Sequence, residues 1–428
     1  MIAVFGYRSF IWEVEVHQKH LVIIGAGPIG LEAAVQASEA GFKVSLFEKS
    51  GIAQNIQDWG HVKLFTPFGM NTSSGGIQLL TESAATLPSS DALLSGREFA
   101  EVYLKPLADL LRKRIAVHEN SQIVAISRGD LLKGEAIGSR AAQHSKFRLL
   151  VEQNQRESVV SADLIFDCTG VYPHHNWLGT GGIPCPGERC LSKQIEYSLP
   201  DLKGPAAKKY HEKTTLVVGS GYSAASTICE LATIAKQSPG TKIHWATRSA
   251  DSQGPISRMD EDQLAGRDEL ARQANRLATD YDDAIQWHRG CVVEHLQPHA
   301  GNGNIVATLR SLNEPASEST QIEVGQIIAQ VGYRPDRSLH EELQIHECYA
   351  TSGPIKLAAF LLGQQAADCL SVSACEAETL KNPEPDYYLL GSKSYGRNTQ
   401  FLMQTGYEHI TKIIAELVAL PSSLSPLV

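Results

Sequence analysis

The chain has 428 residues, which is enough for about two or three domains of ordinary size. It is 43% hydrophobic and 20% charged, values typical of a globular protein, so the disordered and fibrous classes are excluded. Its formal charge is −9 and it has no basic block, which excludes the electrostatic footprint of a nucleic-acid-binding protein.

The sequence predicts neither a membrane protein nor a secreted one. Its longest apolar stretches, such as Leu357 to Leu362, are far shorter than the roughly 20 residues that cross a bilayer. The N-terminal stretch 1–20 carries Glu and His and has no small-residue cleavage site. The eight cysteines are scattered, and the histidines show no metal-ligand spacing. We therefore expect a cytoplasmic protein without a metal site, with a homodimer as the default oligomeric state.

The first strong signal lies near the N-terminus, where Leu21–Ile24 predicts a short buried strand. Gly25-x-Gly27-x-x-Gly30 follows and opens a helical run, and a second strand then ends at Glu48. In such a unit the first glycine permits a tight turn, the second lets the backbone approach a pyrophosphate, and the third lets helix and strand pack closely. Glu48 would accept hydrogen bonds from an adenosine ribose. This combination predicts an FAD site.

The same pattern recurs 194 residues later, with Gly219-x-Gly221 and Ala224 in the third position. The strand after its helix ends in Thr247-Arg248, with no acid. An acid there would repel a 2′-phosphate, whereas Arg248 could pair with one, so we expect NADPH at this site, with NADH as the alternative. The competing interpretation of Arg248 is an arginine that only faces solvent.

Glycines also follow three other predicted strands. Gly170 and Gly332 end the apolar runs DLIFDCTG and QIIAQVG, and Gly391 ends YYLLG. Each would let the chain turn beside a dinucleotide, and the helix after Gly391 would bring its N-terminus towards the flavin. The segment Gly129–Ser145 has a mixed Gly, Lys and Arg content that predicts a surface loop.

The predicted fold class is therefore α/β, with two Rossmann-like dinucleotide-binding domains. The FAD domain would comprise residues 15–205 and 337–428, with the NAD(P)H domain, 206–336, inserted between them. The residues that we expect to contact cofactors are Gly25, Gly27, Pro28, Gly30, Glu48, Lys49, Trp59, Gly170, Gly219, Gly221, Tyr222, Ser223, Arg248, Gly332 and Gly391.

Four stretches give the chain a resemblance to the flavin-containing monooxygenases. GAGPIG is similar to the FAD fingerprint of the whole superfamily, and GSGYSAAS resembles the NADPH fingerprint of these monooxygenases. QVGYRPD and LFTPFGMNTSS are similar to segments that end their nucleotide domain and lie beside the flavin. The resemblance implies that NADPH reduces FAD, which then forms a hydroperoxide and oxygenates a small sulfur or nitrogen nucleophile.

The resemblance also implies roles for two residues beside the flavin. Asn71 would be the catalytic asparagine, hydrogen-bonding the reduced nicotinamide or the flavin hydroperoxide; the alternative is an Asx turn before Thr72. Trp59 would line the flavin, although Asp58 replaces a family glycine; the alternative is a core or lid tryptophan.

Two departures weaken the oxygenase interpretation. The family's histidine before the second nucleotide motif is absent, since Leu191 stands in its place. The acid that often follows the last glycine is replaced by Ser392-Lys393. Lys393 and Arg397 would then meet the flavin ring edge or an acidic substrate, or else be solvent-exposed charges.

The main alternative is a flavin disulfide reductase, which needs a redox cysteine pair stacked on the flavin. The pairs Cys185/Cys190 and Cys369/Cys375 have usable spacings, but the region 49–76 after the first ribose acid contains no cysteine. We therefore expect structural or incidental thiols. A non-catalytic nucleotide-binding scaffold is the third alternative, which the nearly complete fingerprints disfavour.

Overall fold

The computed structural model describes residues 18–143, 145–259, 261–280, 283–312, 319–364 and 368–419. Within these ranges no helix combines the length and the apolar character that a membrane span requires.

The described residues form sixteen strands and nine α-helices. The strands are β1 (His20–Ile24), β2 (Lys43–Phe47), β3 (Ala116–His118), β4 (Gln122–Arg128), β5 (Phe147–Gln153), β6 (Arg156–Ala162), β7 (Leu164–Asp167), β8 (Ile195–Glu196), β9 (Thr214–Val218), β10 (Lys242–Thr247), β11 (Ile285–Arg289), β12 (Cys291–Pro298), β13 (Ile305–Ser311), β14 (Ser319–Val324), β15 (Gln326–Ala329) and β16 (Tyr387–Leu389). The helices are α1 (Pro28–Glu39), α2 (Gln54–Asp58), α3 (Ser74–Glu82), α4 (Gly96–Phe99), α5 (Lys105–Leu111), α6 (Tyr222–Gln237), α7 (Ala265–Thr279), α8 (Ile355–Gly363) and α9 (Met403–Ala419).

The first sheet is entirely parallel, in the order β16-β7-β1-β2-β3. Its central strand is apolar because both faces are covered: Leu21 and Ile23 pack in the cluster formed with α1, α5 and α9, and Val22 packs against the antiparallel sheet β4-β5-β6. The carboxyl ends of these strands therefore meet at one open edge, beside the N-terminus of α1.

The second sheet repeats this arrangement in the order β11-β10-β9-β15-β8, again parallel throughout. Its faces are covered by α6 and α7 on one side and by the antiparallel sheet β12-β13-β14 on the other. Two Rossmann-like domains in an α/β protein are thus confirmed. The domain boundaries stay a prediction; the hydrogen bonds place β8 in the second sheet, ahead of the boundary predicted at residue 206.

The chain crosses between the two sheets at two neighbouring segments, one after Gly170 and one after Gly332. Asn176 joins them: its backbone N–H donates to the Gly332 carbonyl at 2.9 Å, and its amide Nδ2 donates to the Val331 carbonyl at 3.1 Å. His175 and Tyr333 form an isolated antiparallel bridge beside these bonds. The two crossings therefore lie side by side.

The segment Gly129–Ser145 is less superficial than its composition predicts. Most of it is exposed, but Arg140 is buried, and its guanidinium pairs with the fully buried Glu384 at 3.1 Å. Arg128, at the end of β4, pairs with the same carboxylate at 2.8 Å. The surface prediction was wrong for Arg140 because composition does not reveal a distant buried acid that compensates its charge.

Candidate active site

The first glycine motif forms an open cradle at the end of β1. Gly25 has φ +98° and donates its N–H to the Phe47 carbonyl at 2.7 Å, so the chain turns sharply between two strands. A Cβ on Gly30 would overlap the Gly25 carbonyl, whereas a Cβ on Gly27 would meet nothing within 4 Å. Gly27 is the N-cap of α1, and no side chain caps this helix end. The uncapped N–H groups therefore face open space, the arrangement that binds a phosphate. Pro28 is the first residue of α1.

Glu48 lies beside this cradle. Its carboxylate accepts hydrogen bonds from the backbone N–H groups of Ala26, at 2.8 Å, and Ser50, at 3.0 Å. Two backbone bonds hold the carboxylate in place and leave lone pairs for a ribose. The adjacent Lys49 is exposed. Glu119, which directly follows β3, accepts from the Ile52 N–H at 2.9 Å and so supports the same segment.

The second motif has the same geometry. Gly219 has φ +134° and donates its N–H to the Ala246 carbonyl at 3.1 Å. Gly221 caps α6, and a Cβ added to it would meet nothing within 4 Å. Tyr222 and Ser223 begin α6, Tyr222 half-buried and Ser223 exposed. The structure thus contains two open helix N-termini at the carboxyl edges of two parallel sheets.

The predicted turn glycines lie where the sequence places them. Gly170, Gly332 and Gly391 have φ values of +71°, +78° and +68°. A Cβ on Gly391 would lie 3.2 Å from Ile29 in the first turn of α1, and one on Gly170 would lie 3.7 Å from the Ser392 hydroxyl. Gly170 and Gly391 therefore join the first cradle, and Gly332 belongs to the second sheet.

Lys393 corrects both interpretations offered for it. Its ammonium donates to Asp167 Oδ2 at 2.6 Å and to the Thr169 hydroxyl at 3.1 Å, and Lys393 is 2% exposed. Tyr387 donates its hydroxyl to the same Asp167 oxygen at 2.8 Å. Lys393 is therefore neither a solvent-exposed charge nor a contact to the flavin ring, because Asp167 neutralises it inside the protein. Arg397 is exposed, with its guanidinium 3.3 Å from the Asn176 amide oxygen.

Asn71 is buried within its own segment. Its Oδ1 accepts from the Thr66 hydroxyl at 2.7 Å, its Nδ2 donates to the Thr66 carbonyl at 2.9 Å, and Tyr407 donates to its backbone carbonyl at 2.8 Å. The amide bonds back to Thr66 rather than forward, so it does not form the Asx turn considered from the sequence. One amide N–H and one oxygen lone pair are left for another partner.

This segment reaches the second motif through an aromatic contact. The Phe65 ring meets the Tyr222 ring edge-on, with centroids 5.6 Å apart. Sequence reasoning missed a further contact here: the Arg267 guanidinium lies 5.9 Å from the Tyr222 ring and pairs with Asp262 at 2.6 Å and Asp368 at 2.8 Å. Arg267 is on α7 and Asp368 follows α8, so only the folded chain brings them together.

Trp59 ends α2 and lies against Gly96, with its ring centroid 6.2 Å from that of Tyr172. Its indole Nε1 is buried, and the described residues offer it no hydrogen-bond partner. A buried donor without a partner costs free energy, so a bound group that accepts from it would be favoured. This orphaned donor, the open cradle at Gly27 and the positioned Glu48 carboxylate together fit a bound dinucleotide.

Comparison with known protein families matches residues 22–351 to the pyridine nucleotide-disulphide oxidoreductases. No curated protein sequence matches the chain significantly.

Solved structures share the fold at low identity. A bacillithiol disulfide reductase from Bacillus cereus is 17% identical, with a TM-score of 0.65, and the alignment covers 94% of this chain and 99% of that one. An ornithine N-hydroxylase from Kutzneria is 16% identical, with a TM-score of 0.63 and coverages of 94% and 99%. A thioredoxin reductase from T. acidophilum is 14% identical, with a TM-score of 0.58 and coverages of 94% and 100%. The same fold therefore occurs in two reductases and in an N-hydroxylase, and the structure of the N-hydroxylase holds FAD and NADP+.

Proposed function

We propose that the chain, which belongs to the pyridine nucleotide-disulphide oxidoreductase family, is an NADPH-dependent monooxygenase that uses FAD to oxygenate a small sulfur or nitrogen nucleophile. The observation that carries the proposal is the state of the cysteines. Disulfide reduction by a thiol pair requires a reactive thiolate and a neighbouring resolving thiol. All eight cysteines lie within the described residues, and all are free.

Three of the thiols are poorly suited to exchange. Cys168 packs behind the first motif against Gly30, and burial raises its pKa well above the ordinary value. Burial and then the neighbouring Glu188 raise the pKa of Cys185 to about 12. Hydrogen bonds from Thr351 lower the pKa of Cys348, but that side chain is buried and no second cysteine shares its loop. These three thiols do not support a thiol relay, which favours direct transfer of electrons from the cofactor to oxygen or another acceptor.

When bound, FAD supplies the redox chemistry, taking a hydride from reduced nicotinamide and passing the electrons on. The chain's own contribution is placement. The Phe65–Tyr222 contact holds the Asn71 segment against the second motif, and the buried Asn71 amide keeps one N–H and one oxygen lone pair that Thr66 does not use. The exposed Arg248 supports NADPH over NADH, because no acid stands at the end of β10.

The test uses purified, FAD-loaded protein with NADPH in air-saturated buffer and a panel of amines and thioethers. NADPH consumption, oxygen uptake, peroxide release and oxygenated product are measured together. We expect one panel member to raise oxygen uptake and lower peroxide release, with product approaching one per NADPH. Peroxide equal to the NADPH consumed, with every panel member, would refute the monooxygenase.

A reductase that passes electrons to a non-oxygen acceptor is the second candidate, and two observations favour it. Leu191, in the place of the family's histidine, is 3% exposed and packs in an apolar cluster, so this position offers no polar side chain. The Asn71 amide already donates one hydrogen bond to Thr66 and accepts one from it. Anaerobic NADPH oxidation with disulfides or quinones, faster than the aerobic rate, would support this candidate instead.

A further inference from the structure

The strand registers define equivalent positions in the two nucleotide units. In the first sheet Ile24 is opposite Phe47, and Phe47 is opposite His118. In the second sheet Val218 is opposite Ala246, and Ala246 is opposite His288. The first glycine of each motif donates its N–H to the middle residue of these triplets, Phe47 or Ala246, which fixes the correspondence independently.

Counting one residue further along each strand gives the pairs that matter for the ribose. Thr247 corresponds to Glu48, and Arg248 corresponds to Lys49. On the neighbouring strand, Arg289 corresponds to Glu119. The sequence alone does not show this last correspondence, because Arg289 is 41 residues from Arg248 and its place depends on which strands pair.

Both acids of the first unit are thus replaced in the second. In the first unit Glu48 and Glu119 are tied to one backbone segment, through the N–H groups of Ser50 and Ile52. In the second unit the two positions carry a neutral hydroxyl and a guanidinium. At these two positions the second unit therefore replaces two acids, of which Glu119 is paired with Arg112, by one neutral and one positive side chain.

The two arginines project from neighbouring strand ends. Thr247 is opposite Arg289 in the parallel register, and the Gly290 N–H donates to the Ser249 carbonyl at 2.8 Å. Arg248 and Arg289 therefore each directly precede one partner of this hydrogen bond. Both side chains are exposed, and neither forms an ion pair within the part of the chain that the structure describes. Two uncompensated guanidiniums at neighbouring strand ends, in a chain of charge −9, suit a dianionic ligand.

We propose that Arg289, together with Arg248, binds the 2′-phosphate of NADPH and sets the preference for this nucleotide. This inference rests on the NADPH dependence of the proposed function but not on its oxygen chemistry. Thr247 contributes by being uncharged, since an acid at that position would repel the phosphate.

The experiment measures binding rather than turnover. Isothermal titration calorimetry of the FAD-loaded protein compares 2′,5′-ADP with 5′-AMP for the wild type, Arg289→Gln, Arg248→Gln and the matched control Arg276→Gln. Arg276 is exposed in the last turn of α7, at the opposite edge of the second sheet. A charge-assisted hydrogen bond makes each site variant lose about tenfold in affinity for 2′,5′-ADP, with 5′-AMP and the control changing less than about twofold.

The outcomes separate this inference from the one on which it rests. If Arg289→Gln keeps wild-type affinity for 2′,5′-ADP while Arg248→Gln loses it, the role of Arg289 is refuted and the NADPH site stands. If the wild type binds both nucleotides equally, the NADPH preference itself fails. The variant Arg289→Glu, which restores the acid of the first unit at this position, reverses the preference towards 5′-AMP if the proposal holds.

Discussion

Replacing Lys393 by Met removes the positive partner of a buried carboxylate. Lys393 and Asp167 have side chains that are 1% and 0% exposed, with Nζ 2.6 Å from Oδ2. Breaking a buried pair from one side costs about 3–5 kcal/mol, because the remaining charge is left uncompensated. Asp167 keeps hydrogen bonds from the Tyr387 hydroxyl, at 2.8 Å, and the Thr169 hydroxyl, at 2.7 Å. We therefore expect a loss near the lower limit, about 3 kcal/mol.

The loss in the free energy of unfolding is measured by thermal unfolding, followed by the fluorescence of the FAD that the protein releases. For domains of about 150–250 residues, 1 kcal/mol corresponds to about 2–4 °C, so Lys393→Met should lower the melting temperature by about 6–12 °C. The control is Lys356→Met, which breaks an exposed pair with Glu378. An exposed pair contributes at most about 1 kcal/mol, so this variant should shift melting by less than about 4 °C.

The pH dependence identifies the carboxylate as the cause. Burial raises the pKa of Asp167. The Lys393 ammonium and the hydrogen bonds from Lys393 and Thr169 lower this pKa by more than burial raises it, so it lies below the ordinary value. The stability from this group is therefore present at neutral pH and lost as pH falls through the folded-state pKa. Without Lys393 the carboxyl can be buried as the neutral acid, so the deficit of Lys393→Met should shrink as pH falls.

Asp167→Asn, added to Lys393→Met, should recover part of the loss, because no buried charge remains. The reasoning is refuted if Lys393→Met melts like Lys356→Met, or if its deficit is independent of pH and not rescued by Asp167→Asn.

Three further predictions concern the site. Asn71→Ala should retain FAD but release peroxide instead of oxygenated product. Thr66→Val, which breaks the hydrogen bond between Thr66 and Asn71, should still convert NADPH oxidation into product. Equal peroxide release by both variants would make Asn71 a purely structural residue. Cys185→Ser combined with Cys190→Ser should leave NADPH turnover within about twofold, since neither thiol relays electrons, and an abolished turnover would revive the reductase. Burial raises the pKa of Glu32, so the stability from the neutral carboxyl is lost as pH rises through its folded-state pKa. Glu32→Gln should therefore melt at a higher temperature than the wild type at about pH 8, and at the same temperature at about pH 4. A lower melting temperature than the wild type at about pH 8 would contradict this.

Sequence patterns within short windows predicted the two nucleotide-binding units. The strand, glycine motif, helix and second strand of each unit follow one another directly, so their order is readable in a single window of sequence. Gly170, Gly332 and Gly391 were predicted to turn the chain because each follows a short apolar strand, and all three have a positive φ. The resemblance predicted that the Asn71 segment lies beside the flavin, which stays a prediction; its Phe65–Tyr222 contact with the second motif was not predicted.

The features that sequence reasoning missed depend on distant pairing. Helix α7 buries only a narrow stripe around Ala271 and Ala274, so its apolar periodicity is weak. Strands β12–β14 were not recognised because an antiparallel sheet with one covered face has only alternating apolar residues. Lys393 was misassigned for a similar reason, since its partner Asp167 is 226 residues away in the chain.

The two segments by which the chain enters and leaves the second unit, after Gly170 and after Gly332, lie next to each other. Asn176 and Gly332 are hydrogen-bonded, so a chain cut near both residues would leave two ends that a few residues could join, at little cost in loop-closure entropy. Everything between them, including β8 and the sheet β12-β13-β14, would stay together on one piece.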